Sequence, residues 1–226
     1  MTETGHDQSP SSGLWLDGVD VKLGVATLVS ADAHVAPGEI LTVMGPSGSG
    51  KTSLLGYVAG ILAPEFTATG AVWLDGARID GLAPEKRRVG LLFQDPLLFP
   101  HLSVGGNLAF GLSSAIKGRA ARHAAVEAAL EDAGLAGFAS RDPATLSGGQ
   151  KARVALLRVL LSDPRALLLD EAFSKLDTQL RQQFRAYVFD QARARGLPVL
   201  MVTHDPQDAE AAGGRVIEVR NGHAPD

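Results

Sequence analysis

The chain has 226 residues, 45% hydrophobic and 20% charged, a composition that excludes disorder as its overall state and leaves length for one sizeable core. A net charge of −4 argues against general nucleic-acid binding, and the absence of cysteine excludes disulfides, thiolate metal sites and cysteine nucleophiles. Aromatics at 5% against 26 glycines point to aliphatic packing and many tight turns.

Residues 1–13 read as a polar, disordered lead without the apolar stretch of a secretory signal. Strands are expected over 14–19 and 26–35, the second ending at Ala36-Pro37-Gly38-Glu39. The aliphatic run 40–44 reads as a buried strand, and 51–62 as a helix stopping before Pro64. Residues 71–74 with the turn Asp75-Gly76 predict a hairpin, and 89–93 another strand, preceded by Lys86-Arg87-Arg88. Between 102 and 162 the texture turns to Ala, Leu, Arg and Glu, with helical periodicity over 119–134 and 150–162. Strand texture returns at 166–169, 199–202 and 215–219, with a helix over 179–195. Apolar strands separated by helices predict a buried parallel sheet, and the stretch between 94 and 162 a helical subdomain set into it. No apolar run approaches the roughly 20 residues that span a bilayer, so any membrane link is expected through a partner.

Gly45-Pro46-Ser47-Gly48-Ser49-Gly50-Lys51-Thr52 matches G-x4-G-K-[ST] and lies between an expected strand and an expected helix, where a phosphate loop must lie. The glycines let backbone N–H groups converge on phosphate oxygens, the helix N-terminus adds positive charge, and Lys51 reaches the β and γ phosphates. Thr52 is suited to Mg²⁺, and Ser53 completes the nucleotide-binding set. The strand 166–169 ends in Asp170 and Glu171, at the sheet edge where ligands bind in open α/β folds. Asp170 fits a Mg²⁺ ligand, and Glu171 a base that polarises water.

Upstream of Asp170 stands Leu146-Ser147-Gly148-Gly149-Gln150. From about Leu14 to about Gly222 the sequence resembles the ATP-binding cassette proteins, the nucleotide-binding subunits of ABC transporters. In that resemblance Gln94 occupies the Q-loop, LSGGQ is the signature, and Asp170 and Glu171 are the Walker B aspartate and catalytic glutamate. Ser174-Lys175-Leu176-Asp177 occupies the D-loop and His204 the switch position. The resemblance implies an α/β fold: a phosphate-loop NTPase (RecA-like) core, an inserted α-helical subdomain at about 95–162 and an antiparallel β subdomain near the N-terminus, all within 14–224. It implies ATP and Mg²⁺, with Thr52, Gln94 and Asp170 at the cation and Glu171, His204 and Gln94 at the lytic water. Two copies would stack head to tail, with Ser147, Gly148, Gly149, Gln150 and Asp177 serving the ATP held by the other copy. His6, His34, His101, His123 and His223 are assigned no role.

Three departures stand out. Leu23 occupies the place of the family's adenine-stacking aromatic, and Trp15 on the same strand reads as a core tryptophan before it reads as a substitute, so weak purine discrimination is expected. Ala172 replaces the common proline after the glutamate, and Lys175 a small D-loop residue, making either an interface contact or none. The segment from Phe93 to Phe110 resembles importers of small solutes, where it lines the groove for the permease, and an exposed apolar cluster is expected there. The closest likeness is to thiamine-type import subunits. It implies permease and solute-binding partners, no nucleic-acid partner, and a place on the cytoplasmic face of the inner membrane. With the last strand expected at 215–219, no C-terminal regulatory domain is expected. The alternatives are a soluble cassette ATPase and an exporter or lipoprotein-release ATPase.

Overall fold

The computed structural model describes residues 12–219. Strands β1 (Leu14–Leu23), β2 (Ala26–Val35), β4 (Phe66–Leu74) and β5 (Ala77–Arg78) form an antiparallel sheet in the order β2-β1-β4-β5. The parallel sheet has the order β6-β7-β8-β3-β9, from β3 (Ile40–Met44), β6 (Val89–Leu92), β7 (Ala166–Asp170), β8 (Val199–Thr203) and β9 (Val216–Glu218).

The central parallel strands are buried on both faces, which is why they read as unbroken aliphatic runs. On one face Leu41, Val43, Leu168, Leu200 and Val202 pack with helix α1 (Lys51–Ala59) and the inward side of the antiparallel sheet. On the other, Leu167, Leu169, Val199 and Met201 meet α4 (Gly148–Leu160) and α5 (Thr178–Ala194). Helices α2 (Val104–Gly111), α3 (Arg119–Asp132) and α4 enclose a third cluster around Val104, Leu108, Leu130, Val154 and Leu157. Because α4 contributes to both clusters, the helical insertion is anchored on the sheet through it; Leu156, fully buried, is a position where truncation to Ala costs about 2–5 kcal/mol.

Several boundaries differ from expectation. β1 runs on to Leu23 through a bulge at Gly18: Leu14 and Leu16 point inward before it, Val19 and Val21 after it. The bulge brings the strands so close that a Cβ on Gly70 would sit 2.3 Å from Gly18 O. β4 begins at Phe66, well before the expected hairpin strand. α1 stops at Ala59 because Gly60 turns left-handed, and the buried Arg87 guanidinium then donates to Tyr57 O (2.7 Å) and Val58 O (3.1 Å). Sequence reading missed α2 and α6 (Pro206–Ala212), one diluted by three glycines and the other only seven residues long. The expected lead over 1–13 is corrected at its end: Gly13 exchanges two hydrogen bonds with Asp75 (both 2.9 Å). Residues 1–11, with His6, and the tail bearing His223 lie outside the described residues.

Candidate nucleotide-binding site

Strand order assembles the site. β7, β8 and β3 are neighbours, so the residues after each emerge side by side at one sheet edge. The pairing of Asp170 with Val202 sets His204 beside Glu171, and the loop after β3 opens next to them. An open pocket of about 410 Å³ runs along this edge, walled at one end by Gly48, Lys51, Thr52, Gln94, Asp170 and Glu171.

The phosphate loop is braced by its own lysine. Gly50, at φ +85°, turns the chain into α1. Lys51 Nζ donates to Gly45 O (2.8 Å) and Pro46 O (2.7 Å), strapping the loop from inside. Burial pushes the Lys51 ammonium below its usual range, and the charges of Glu171 and then Asp170 oppose that shift. Ser49 Oγ is buried with no partner among the described residues, a polar group that a ligand or water must satisfy. Thr52 Oγ1 donates to Asp170 Oδ1 at 2.9 Å. Burial raises the Asp170 carboxyl; the Thr52 hydrogen bond opposes this, the Glu171 charge adds to it, and Lys51 opposes it.

Glu171 sits at φ +46°, a left-handed conformation uncommon for a residue with a Cβ, and its N–H donates to Val202 O (3.0 Å). His204 Nδ1 lies 3.1 Å from Glu171 Oε1. Gln94 Nε2 donates to Ser174 Oγ (2.9 Å), which donates to Glu171 O (2.9 Å). Lys175 pairs with Asp95 in the same chain; exposed, the pair is worth at most about 1 kcal/mol. Arg181, absent from the sequence-based candidates, bonds Asp205 Oδ2 (2.6 Å), Ser174 O (3.0 Å) and Leu176 O (3.3 Å), joining the segment after His204 to the segment after Glu171.

Ser147, Gly148, Gly149, Gln150 and Asp177 do not line the pocket. Ser147 and Gln150 form a reciprocal cap on α4, and Asp177 caps α5 by accepting from Leu180 N (3.0 Å). A Cβ on Gly149 would meet Leu180 Cδ1 at 2.5 Å, so this glycine also lets α4 and α5 approach.

Beyond the loop the pocket becomes apolar, with Leu23, Leu28 and Phe66 as walls. Trp15 is not among them: it stacks on Trp73, ring centroids 6.4 Å apart. Past Gln94 the chain exposes Leu97 (55%) and Phe110 (70%), with Phe99 edge-on to Phe110 at 4.7 Å. Two residues that sequence reading passed over hold this segment. Buried Asn107 accepts from Phe99 N and donates to Phe99 O, while Arg158 donates to Leu97 O (2.8 Å) and Pro96 O (3.2 Å).

The family described as ABC transporter matches residues 28–174. The chain is 53% identical over 184 residues to the uncharacterized ABC transporter ATP-binding protein YnjD of Escherichia coli K12, spanning 81% of this chain and 84% of that protein. It is 45% identical over 211 residues to the thiamine import ATP-binding protein ThiQ of Cereibacter sphaeroides, spanning 93% and 90%. With the Fe(3+) ions import ATP-binding protein FbpC of Streptomyces coelicolor it shares 43% identity over 214 residues, which is 94% of this chain and 61% of the other.

The chain belongs to the ABC transporter family.

As an ATP-binding subunit of that family it binds ATP and hydrolyses it to power transport. The pocket gives this ABC subunit one strongly polar end, suited to a triphosphate, and one apolar end, suited to a base. Among the described residues no helix is long and apolar enough to cross a membrane.

Proposed function

We propose that this ABC subunit drives import of a small solute through a separate permease, working as an ATP-closed pair of identical copies on the cytoplasmic face of the inner membrane. The supporting observation is the exposed pair Leu97 and Phe110, with half-buried Phe99 against Phe110, on the segment that follows Gln94, an apolar surface suited to a partner. The names of relatives that import thiamine and iron support the direction, and the ThiQ likeness over almost the whole chain supports a thiamine-type cargo with a solute-binding protein upstream.

In the proposed cycle the loop N–H groups of residues 45–52 and Lys51 bind the triphosphate, and Ser53 on the first turn of α1 adds a hydroxyl at the pocket wall. Thr52, Asp170 and the amide oxygen of Gln94 fit a Mg²⁺ ion: all are hard oxygen donors, and a dication would offset the burial that raises Asp170. Among the described residues no group of three or more His, Asp or Glu could hold the metal unaided, so nucleotide oxygens and water would complete its shell. When bound, Mg²⁺ supplies Lewis-acid stabilisation of charge on the phosphate oxygens. Glu171 takes a proton from the attacking water as the new P–O bond forms and ADP departs. His204, held against Glu171, orients the carboxylate and the γ-phosphate, and Gln94 positions the water.

Ser147, Gly148, Gly149, Gln150 and Asp177 act on the partner's ATP, which accounts for their distance from the pocket of their own copy. Accordingly, Ser147→Arg leaves ATP affinity within about threefold while lowering hydrolysis by about fiftyfold or more, since the lost donors act only in trans. Loss of the helix cap costs about 1 kcal/mol and is checked by the melting midpoint. Normal turnover in a folded Ser147→Arg protein would remove the trans assignment.

The decisive experiment is affinity capture of tagged Glu171→Gln from native cells in mild detergent with ATP. An integral permease, with a solute-binding protein, is expected among the captured proteins, and Phe110→Asp should strip the permease away. Recovery of only ribosomes, nucleic-acid enzymes or assembly factors would overturn the import reading while leaving the ATPase chemistry in place.

A further inference from the structure

The apolar end of the nucleotide pocket is built from two hairpins. Leu23 ends β1, Leu28 lies near the start of β2, and Phe66 opens β4. Leu23 and Phe66 are directly paired across the sheet, so their side chains leave the same face side by side. The bulge at Gly18 decides which face. By shifting the alternation one step it puts Leu23 on the side of Val19 and Val21, toward the phosphate loop rather than solvent. Leu28 is pressed against that loop: a Cβ on Gly50 would come within 2.7 Å of Leu28 Cβ. The three side chains therefore form a shelf beside the loop, with 47% of Leu23 left uncovered.

A triphosphate seated on the loop must send its base toward this shelf, the one apolar part of the pocket among the described residues. Only Phe66 offers a π face there. The tryptophans are occupied with each other, and the polar residues of the pocket belong to the loop, to Gln94 and to the carboxylates after β7. Among the described residues that line the pocket, none beside the shelf carries a group of its own to read the hydrogen-bonding edge of a base. We propose that Phe66 is the base-stacking residue, and that the base is held by its face alone, so that guanine and adenine nucleotides bind comparably. Phe66 thus takes, from β4, the place that sequence reading gave to Leu23 or Trp15 on β1; Leu23 covers the base edge as an aliphatic neighbour. The proposal rests on the phosphate-loop reading above.

The test compares dissociation constants of ATP, GTP and inorganic tripolyphosphate for the full chain with Mg²⁺. Phe66→Ala is expected to weaken ATP about tenfold and leave tripolyphosphate within about twofold, because stacking contributes only when a base is present. Phe66→Tyr keeps ATP affinity, and Phe66→Leu, which preserves bulk and should fold if the alanine variant does not, loses several-fold. In the unaltered protein GTP binds within about tenfold of ATP. ATP affinity unchanged in both the Ala and Leu variants overturns the proposal. Equal weakening of ATP and tripolyphosphate also overturns it, since Phe66 would then be a prop for the loop. A hundredfold preference for ATP over GTP overturns the face-only reading. A separate failure, tripolyphosphate binding unaffected by Lys51→Ala, would strike the phosphate-loop reading instead.

Discussion

Glu171→Gln is expected to lower ATP turnover by about a hundredfold to ten-thousandfold while ATP binding survives, the range general-base removal commands. Gln is close in shape to Glu, so the strained backbone at φ +46° and the N–H bond to Val202 O need not change. What disappears is the carboxylate charge and its capacity to take a proton. Two neighbours report the loss. The Glu171 charge is the largest influence holding the Lys51 ammonium up against burial, so Lys51 titrates lower in the variant. His204 Nδ1 then faces an amide in place of the carboxylate oxygen it meets at 3.1 Å. With hydrolysis stopped and the triphosphate still in place, ATP-bound pairs should accumulate, visible as a doubling of mass in solution. An ATP-loaded variant that stays monomeric would contradict the sandwich, whereas a turnover close to normal would remove Glu171 from the chemistry.

The contiguous parts of the site were legible because each is dictated by local chemistry. A phosphate loop needs its glycines and lysine in sequence, and the two carboxylates must follow an aliphatic strand directly. Parallel strands buried on both faces announce themselves as aliphatic runs, so β3, β7 and β8 were found within a residue or so. What stayed hidden depends on pairing between distant segments. Phe66 becomes a pocket wall only through its register with Leu23 and the parity change at Gly18, neither of which a hydrophobic pattern reveals. Arg87 reads as one basic residue in a run of three; its burial on the carbonyls that end α1 is a tertiary fact. Asn107 sits on a helix weakened by Gly105 and Gly106, yet a Cβ on Gly105 would come within 3.0 Å of Ala139 O, so packing and not propensity chose that glycine.

In the proposed cycle, the wiring around Glu171 would link distant surfaces to the attacking water. Gln94 is tied to Ser174, Ser174 to Glu171, and Arg181 ties Ser174 O to Asp205, next to His204. The Q-loop lies between the exposed apolar cluster and this circuit. In that proposal a displacement of the Phe99 segment would act on Gln94 without crossing the core, and a displacement of residues 174–177 would act on the backbone next to Glu171.

Lys51→Ala is the variant expected to abolish nucleotide binding, weakening ATP by about a hundredfold or more. Lys51 does two jobs. Its ammonium holds the carbonyls of Gly45 and Pro46 together, and it places a positive charge within the field of Asp170 and Glu171. A hydrogen bond to a charged group contributes about 1.5–3 kcal/mol, so losing the charge alone reaches the hundredfold scale. The carboxylates respond with a definite sign. Lys51 is a group that lowers the Asp170 carboxyl against burial, so without it Asp170 rises further above its ordinary range and is less available to a cation at mildly acidic pH. The variant's residual ATP binding should therefore fall more steeply than that of the unaltered protein as pH drops toward the carboxylate range. Lys51→Met keeps the bulk of the stem and removes the ammonium, with its charge and its hydrogen bonds to Gly45 O and Pro46 O. Equal losses in the Ala and Met variants assign the effect to the ammonium, whereas a Met variant that binds ATP normally would show that only the packing of the stem is needed.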